Sequence, residues 1–165
     1  DKPEYLDILN NYENLHVLYG KDTDEELYNS DVNEYDAYVY IGGSIFMEGG
    51  LSYNLSEKFY DFMKRCKENN KKIAYITVMN ALSVDCDCDS NQKDPVMGDL
   101  GIVASLDPVA NDQAFIDFIW NSEDEGKKLL QERIDSRQGR EILPYAESLG
   151  LGTREYELID IDKEK

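Results

Sequence analysis

The segment Ile73-Ala74-Tyr75-Ile76-Thr77-Val78 constrains the fold more than any other part of this sequence. It is nearly continuous in apolar and β-forming residues, the pattern of a strand covered on both faces. Just before it, Ser52 to Asn69 has the spacing of a helix. Leu55, Phe59, Phe62, Met63 and Cys66 fall on one face, and Lys58, Asp61, Lys64, Arg65 and Glu68 fill much of the rest. Asn69-Asn70 ends it. Upstream again, Asp36 to Ile41 is rich in β formers and stops at Gly42-Gly43. Strand, helix, strand is a βαβ unit, whose crossover makes the two strands parallel. The loops after both strands then leave the same carboxyl edge, where open α/β sheets take their ligands.

The remaining elements agree with that unit. Residues 3–10 read as a short helix opened by Pro3, Leu15 to Tyr19 as a short strand, and Asp22 to Asn29 as a helical turn or short helix. Gly101 to Ser105 is another short strand. Asp107-Pro108 opens a helix running to about Asn121. Gly126 to about Asp135 and Gly139 to Leu149 read as two more helices, the second closed by Gly150 and Gly152. Tyr156 to Ile161 alternates like a strand at a sheet edge. The expected fold is a single α/β layered domain over residues 1–165, with a largely parallel sheet flanked by helices. A chain of 165 residues buries enough surface to fold without a disulfide or metal staple. It opens at Asp1, so a longer parent chain is expected.

Charge narrows the function classes. With 17 basic and 35 acidic residues the net charge is −18. Nucleic acids and anionic membranes bind through basic clusters, so neither is an expected partner. A field of this sign suits cations or a basic partner protein, or serves solubility alone. No apolar run is long enough to span a bilayer, and three cysteines do not make a disulfide framework, so the expected compartment is the cytoplasm.

The chemically unusual feature is Asp85-Cys86-Asp87-Cys88-Asp89, in the loop Asn80 to Gly98. Alternate carboxylates begin a calcium loop, but Ser90 and Val96 stand where such a loop needs Gly and Glu. Two thiolates one residue apart suit a soft metal, with Asp85, Asp87 and Asp89 as further donors. The same string also reads as a solvent-facing acidic turn with two incidental thiols. The crowded carboxylates disfavour thiol ionisation, which argues against a simple cysteine nucleophile. Cys66 lies on the apolar helix face and reads as core; His16, the one histidine, reads as structural. The loop Gly42 to Gly50 lacks both phosphate-loop and dinucleotide glycine patterns. Asp107 reads as an N-cap and Asp112 as an early helix residue, or both join the Asp/Cys loop around a metal. A serine triad is not expected, since Ser44 lacks a nucleophile-elbow pattern.

Three blocks carry a resemblance: Asp85-Cys86-Asp87-Cys88, the run from Gly98 to Ala114 centred on Asp107-Pro108-Val109-Ala110-Asn111-Asp112, and the ending from Tyr145 to Ile159. Over about residues 55–161 the chain resembles the C-terminal part of the domain-of-unknown-function 362 family. The resemblance implies a bacterial or archaeal iron–sulfur-associated protein. Many members carry a ferredoxin-like module with repeated C-x-x-C-x-x-C motifs. This chain has none, so a cluster would be completed by ligands outside it. By position Cys86 and Cys88 match the family's paired cysteines, and Asp107 and Asp112 its Asp-Pro-Val-Ala block. Two functions are therefore expected as alternatives. One is a metal- or cluster-associated domain of redox type. The other is a non-catalytic domain that docks a ferredoxin-like module or partner protein.

Overall fold

The computed structural model describes residues 23–42, 57–85 and 94–163. Along the chain run α1 (Thr23–Asn29), β1 (Ala37–Gly42), α2 (Glu57–Glu68), β2 (Lys72–Met79), β3 (Gly101–Ser105), α3 (Pro108–Asn121) and α4 (Lys127–Ser136). A 3-10 turn (Gly139–Glu141) then leads into α5 (Ile142–Ser148). The expected helix at 3–10, the strand at 15–19 and the start of the helix at 52 lie outside the described residues. The fold is α/β; among the described residues the sheet has three strands in the order β1-β2-β3, with helices packed on it.

β1 and β2 are parallel, in register from Ala37 opposite Lys72 to Gly42 opposite Thr77. β2 and β3 are antiparallel, from Tyr75 opposite Ser105 to Met79 opposite Gly101. The sheet is thus mixed, with one pair of each kind. The chain leaving Met79 comes back at the same edge, closed by Leu100 N–H donating to the Met79 carbonyl at 2.8 Å. A return of this kind makes an antiparallel neighbour without a crossover helix.

The inner face of β2 carries Ile73, Tyr75, Thr77 and Met79, all buried. Ile73 and Tyr75 share a core cluster with Phe62, Met63 and Cys66 of α2, Val109 and Ile116 of α3, and Leu143 and Ala146 of α5. The outer face differs from the expectation of a doubly covered strand. Val39 and Ile41 of β1 and Ile102 of β3 are more than 60% exposed, and Val78 is 40% exposed. Ile76 lies between them, opposite Ile41 and Ala104. An apolar run looks doubly covered because Ala74, Ile76 and Val78 are apolar too, yet among the described residues the helices packed on the sheet share the other side.

Two helix ends are built alike. Past α2, Asn70 takes φ +54°, with Lys71 N–H on the Cys66 carbonyl at 2.8 Å and Asn70 N–H on Lys67 at 3.2 Å. Past α5, Gly150 takes φ +73°, with Leu151 N–H on Ala146 and Gly150 N–H on Glu147. Both are left-handed closures that satisfy carbonyls the helix leaves open. Arg65, which reads in the sequence as a solvent-facing residue, instead donates to the carbonyls of Leu27, Tyr28 and Ser30. Its guanidinium closes the C-terminus of α1 and ties it to α2.

The expected final strand does not form. Residues 155–160 carry no regular structure and pair with no strand among the described residues. Alternation alone supplies an extended backbone, and this tail is held by side chains instead. Glu147 accepts from Arg154 N and Nε, both at 2.9 Å, and Tyr156 donates its hydroxyl to Asp117 at 2.7 Å. Burial, and then Asp117, push the Tyr156 hydroxyl up to about 12.

Candidate functional site at the carboxyl edge

The parallel β1/β2 pair ends at one edge, with Gly42 and Met79 as its last residues. The loop after Met79 therefore leaves beside the loop after Gly42, as the βαβ reading requires. Because β3 starts at this edge, opposite Met79, the whole excursion 80–100 begins and ends there.

Its base is a closed neck. Ala81 N–H donates to Asp99 Oδ1 at 2.9 Å. Val96 and Met97 N–H both donate to the Leu82 carbonyl, at 2.8 and 3.2 Å. Leu82, Val84, Val96 and Leu100 pack on the buried cluster of Met97, Ile119 and Leu130. The turn between α3 and α4 fastens the neck from outside. Asp124 accepts from Gly98 N–H at 3.1 Å and Gly126 N–H at 2.8 Å. Gly126 lies so close to the Val96 carbonyl that a Cβ there would overlap it. At the start of the Asp/Cys string, Asp85 is mostly buried and ion-paired with Arg133 of α4. Cys86, Asp87, Cys88 and Asp89 lie outside the described residues. Among the described residues no three His, Cys, Asp or Glu side chains form a group able to hold a metal.

The Gly98 N–H, then the Gly126 N–H, hold the Asp124 carboxyl below its ordinary 3.8. A depressed carboxyl contributes fully above its unfolded value and loses that contribution as pH falls through its folded one. Asp124→Ala is therefore expected to speed amide exchange at Gly98 and Gly126 roughly tenfold at neutral pH. Amides inside α2 should be unaffected. Equal acceleration at both places would show that Asp124 does not fasten the neck.

On the inner face of the same edge Thr77 and Asn111 form a buried polar pair that sequence reasoning missed, and Asp112, which it did single out, is buried next to Asn111 along the chain. Thr77 is 0% exposed, Asn111 2% and Asp112 0%. Asn111 Nδ2 donates to Thr77 Oγ1 at 2.6 Å. Asn111 Oδ1 is buried with no hydrogen-bond partner. Thr77 stands between Gly42 of β1 and Val103 of β3, so this group sits just inside the point where the glycine-bearing loop leaves.

Asp107 lies elsewhere. It follows Ser105, which pairs with Tyr75 at the other end of the β2/β3 ladder from Met79. There it caps α3, accepting from Val109 N–H at 2.8 Å and Ala110 N–H at 3.0 Å. Its other oxygen takes Thr153 N–H at 2.9 Å, and Gly152 leaves no room for a Cβ against that carboxylate. Asp107 therefore stands at the edge opposite Met79 and Gly101, between which the loop 80–100 runs, whereas Asp112 lies two helical positions beyond Ala110. Cys66 is 1% exposed in the core; burial pushes its thiol up to about 11, against the pull of Arg65 and Lys71.

No helix among the described residues is long and apolar enough to cross a membrane. The sequence model for a family described as Domain of unknown function (DUF362) matches residues 10–117, more than half of the chain. That span takes in the Asp/Cys loop and the block from Asp107 to Asp112. It begins well before residue 55 and stops short of the ending from Tyr145 to Ile159. No curated protein and no solved structure matches the chain.

Proposed function

The chain belongs to the DUF362 family, and from that premise we propose that it is a metal-associated domain of redox type which takes its metal at the carboxyl edge of the sheet. The observation that carries this reading is the neck. The string of two thiols and three carboxylates belongs to a loop whose two ends meet at the ligand-receiving edge, in a base fixed through Leu82, Asp99 and Asp124. A firm base lowers the ordering cost of gathering ligands. Cys86 and Cys88 would supply thiolates and Asp87 and Asp89 carboxylate oxygens, with Asp85 held by Arg133 as the anchor. Thiolate with carboxylate suits a single divalent metal of borderline softness such as zinc or ferrous iron.

An iron–sulfur cluster held by this chain alone does not fit. Such a cluster needs about four cysteine or histidine ligands. One of the three cysteines, Cys66, is committed to the core. A cluster would need ligands from elsewhere, for which a ferredoxin-like module is the natural source.

The test is elemental analysis of protein purified without oxygen. Wild type is expected to carry zinc or iron near one equivalent, and Cys86→Ser/Cys88→Ser to lose it while keeping the fold. In that variant Cys66 should resist thiol reagents until denaturant is added. The alternative, a non-catalytic docking domain, has one observation of its own, the uncovered apolar face of Val39, Ile41 and Ile102. Metal-free wild type, purified anaerobically, would leave docking as the better reading.

A further inference from the structure

We infer that Asn111, Asp112 and Thr77 form a second cation site, lined by oxygen and separate from the thiols. The starting point is Asn111 Oδ1, a carbonyl oxygen 2% exposed as part of its residue and without a partner. A buried acceptor left unmet costs about 1–3 kcal/mol. Its amide cannot turn to escape this cost, because Nδ2 is engaged on Thr77 Oγ1 at 2.6 Å and a flip would leave an N–H unmet instead. What satisfies such an oxygen is a donor or a positive charge.

The neighbours favour a charge. Asp112 follows Asn111 on α3 and is 0% exposed. Thr77 and Asp112 both have interactions of their own, so the unmet atom is Asn111 Oδ1. An amide carbonyl, a carboxylate and a hydroxyl are hard oxygen donors, the set that magnesium, calcium and manganese prefer. Thiolates take softer metals, so the two sites differ in the ion they select. The position also fits, since Thr77 lies beside Gly42 at the ligand-receiving edge. A net charge of −18 raises the local concentration of any cation.

The probe is Mg²⁺, Ca²⁺ or Mn²⁺ alone, titrated into chelator-treated full chain in about 0.3 M KCl, which screens loose attraction to the acidic surface. Saturable binding of one ion is expected, with Tm rising by about 5 °C. Asn111→Leu should weaken binding at least tenfold. Asn111→Asp should keep or tighten it, and Cys86→Ser/Cys88→Ser should leave it unchanged. No saturable binding in wild type means that an internal water meets Asn111, and overturns the inference. So does binding that survives Asn111→Leu, which places the ion on the acidic surface. If Asn111→Leu does not fold, Thr77→Val serves in its place, with the same tenfold weakening expected and unchanged affinity overturning the inference. Loss with the cysteine variant would instead locate the ion at the thiols, a failure of this site and not of the proposed function.

Discussion

Phe62→Ala is expected to lower the unfolding free energy by about 3–5 kcal/mol and Tm by about 10 °C. Phe62 is 2% exposed and stands where α2 meets the sheet. Tyr38 of β1 meets its ring edge-on, with centroids 4.9 Å apart at 90°. Phe59 stacks on it at 6.1 Å, and the Arg65 guanidinium lies 6.0 Å from its centroid. Truncation removes all three contacts and leaves a cavity between a helix and a strand that cannot both collapse into it. Because Arg65 also closes α1, the loss should loosen α1 before it reaches α3. Phe62→Leu keeps most of the volume and should cost under about 1.5 kcal/mol. Thermal and urea melts measure both. A Phe62→Ala loss below about 1 kcal/mol would contradict the packing described for this core.

The consequence reaches the candidate site. α2 is the crossover that makes β1 and β2 parallel, and that parallelism alone puts both loops at one edge. A chain with a loosened α2 should therefore lose metal together with stability, whereas the cysteine variant should lose metal only. The contrast separates damage to the scaffold from removal of ligands.

Much of this scaffold was legible in the sequence for local reasons. Gly101–Ser105 and Pro108–Asn121 formed where the apolar run and the Asp-Pro opening place them. Gly150 does close its helix, through a positive φ that glycine adopts without a Cβ penalty. What sequence could not supply were partners. The direction of β3 depends on how the loop 80–100 returns, which no residue type states. Tyr156 to Ile161 has the alternation of a strand, but a strand needs a neighbour, and Asp117 took Tyr156 instead. The open outer face was invisible because Ala74 and Ile76 are apolar whichever side is covered.

The buried polar group failed for a different reason. Thr77 reads as an ordinary strand residue, and Asn111 as an ordinary early-helix residue. One signal was present, since Thr77 shares strand parity with Ile73, Tyr75 and Met79 and must face inward with them. Asn111 and Asp112 also have apolar residues on either side along α3, Val109 and Ala110 before them and Ala114, Phe115 and Ile116 after Gln113. A buried threonine asks for a polar neighbour, and the next helix in the chain provides one.

Asp107→Ala is expected to cost about 2–3 kcal/mol, more than an ordinary cap, because one carboxylate serves two purposes. One oxygen holds the Val109 and Ala110 N–H groups at the start of α3, and the other holds Thr153 and so the tail. Asp107→Asn separates the two roles. Its carbonyl can still cap the helix, while its amide would set N–H against the Thr153 N–H. It should cost about 1 kcal/mol and free the tail first, seen as proteolysis near Thr153 before global unfolding. Asp107→Ser, an accepted cap with too short a reach for Thr153, should behave like the asparagine variant. Metal content should not change in any of the three, since Asp107 stands at the edge opposite the one where the loop 80–100 begins and ends. A loss of metal in Asp107→Asn without loss of stability would mean that the two edges are chemically connected, and would return this carboxylate to the metal site.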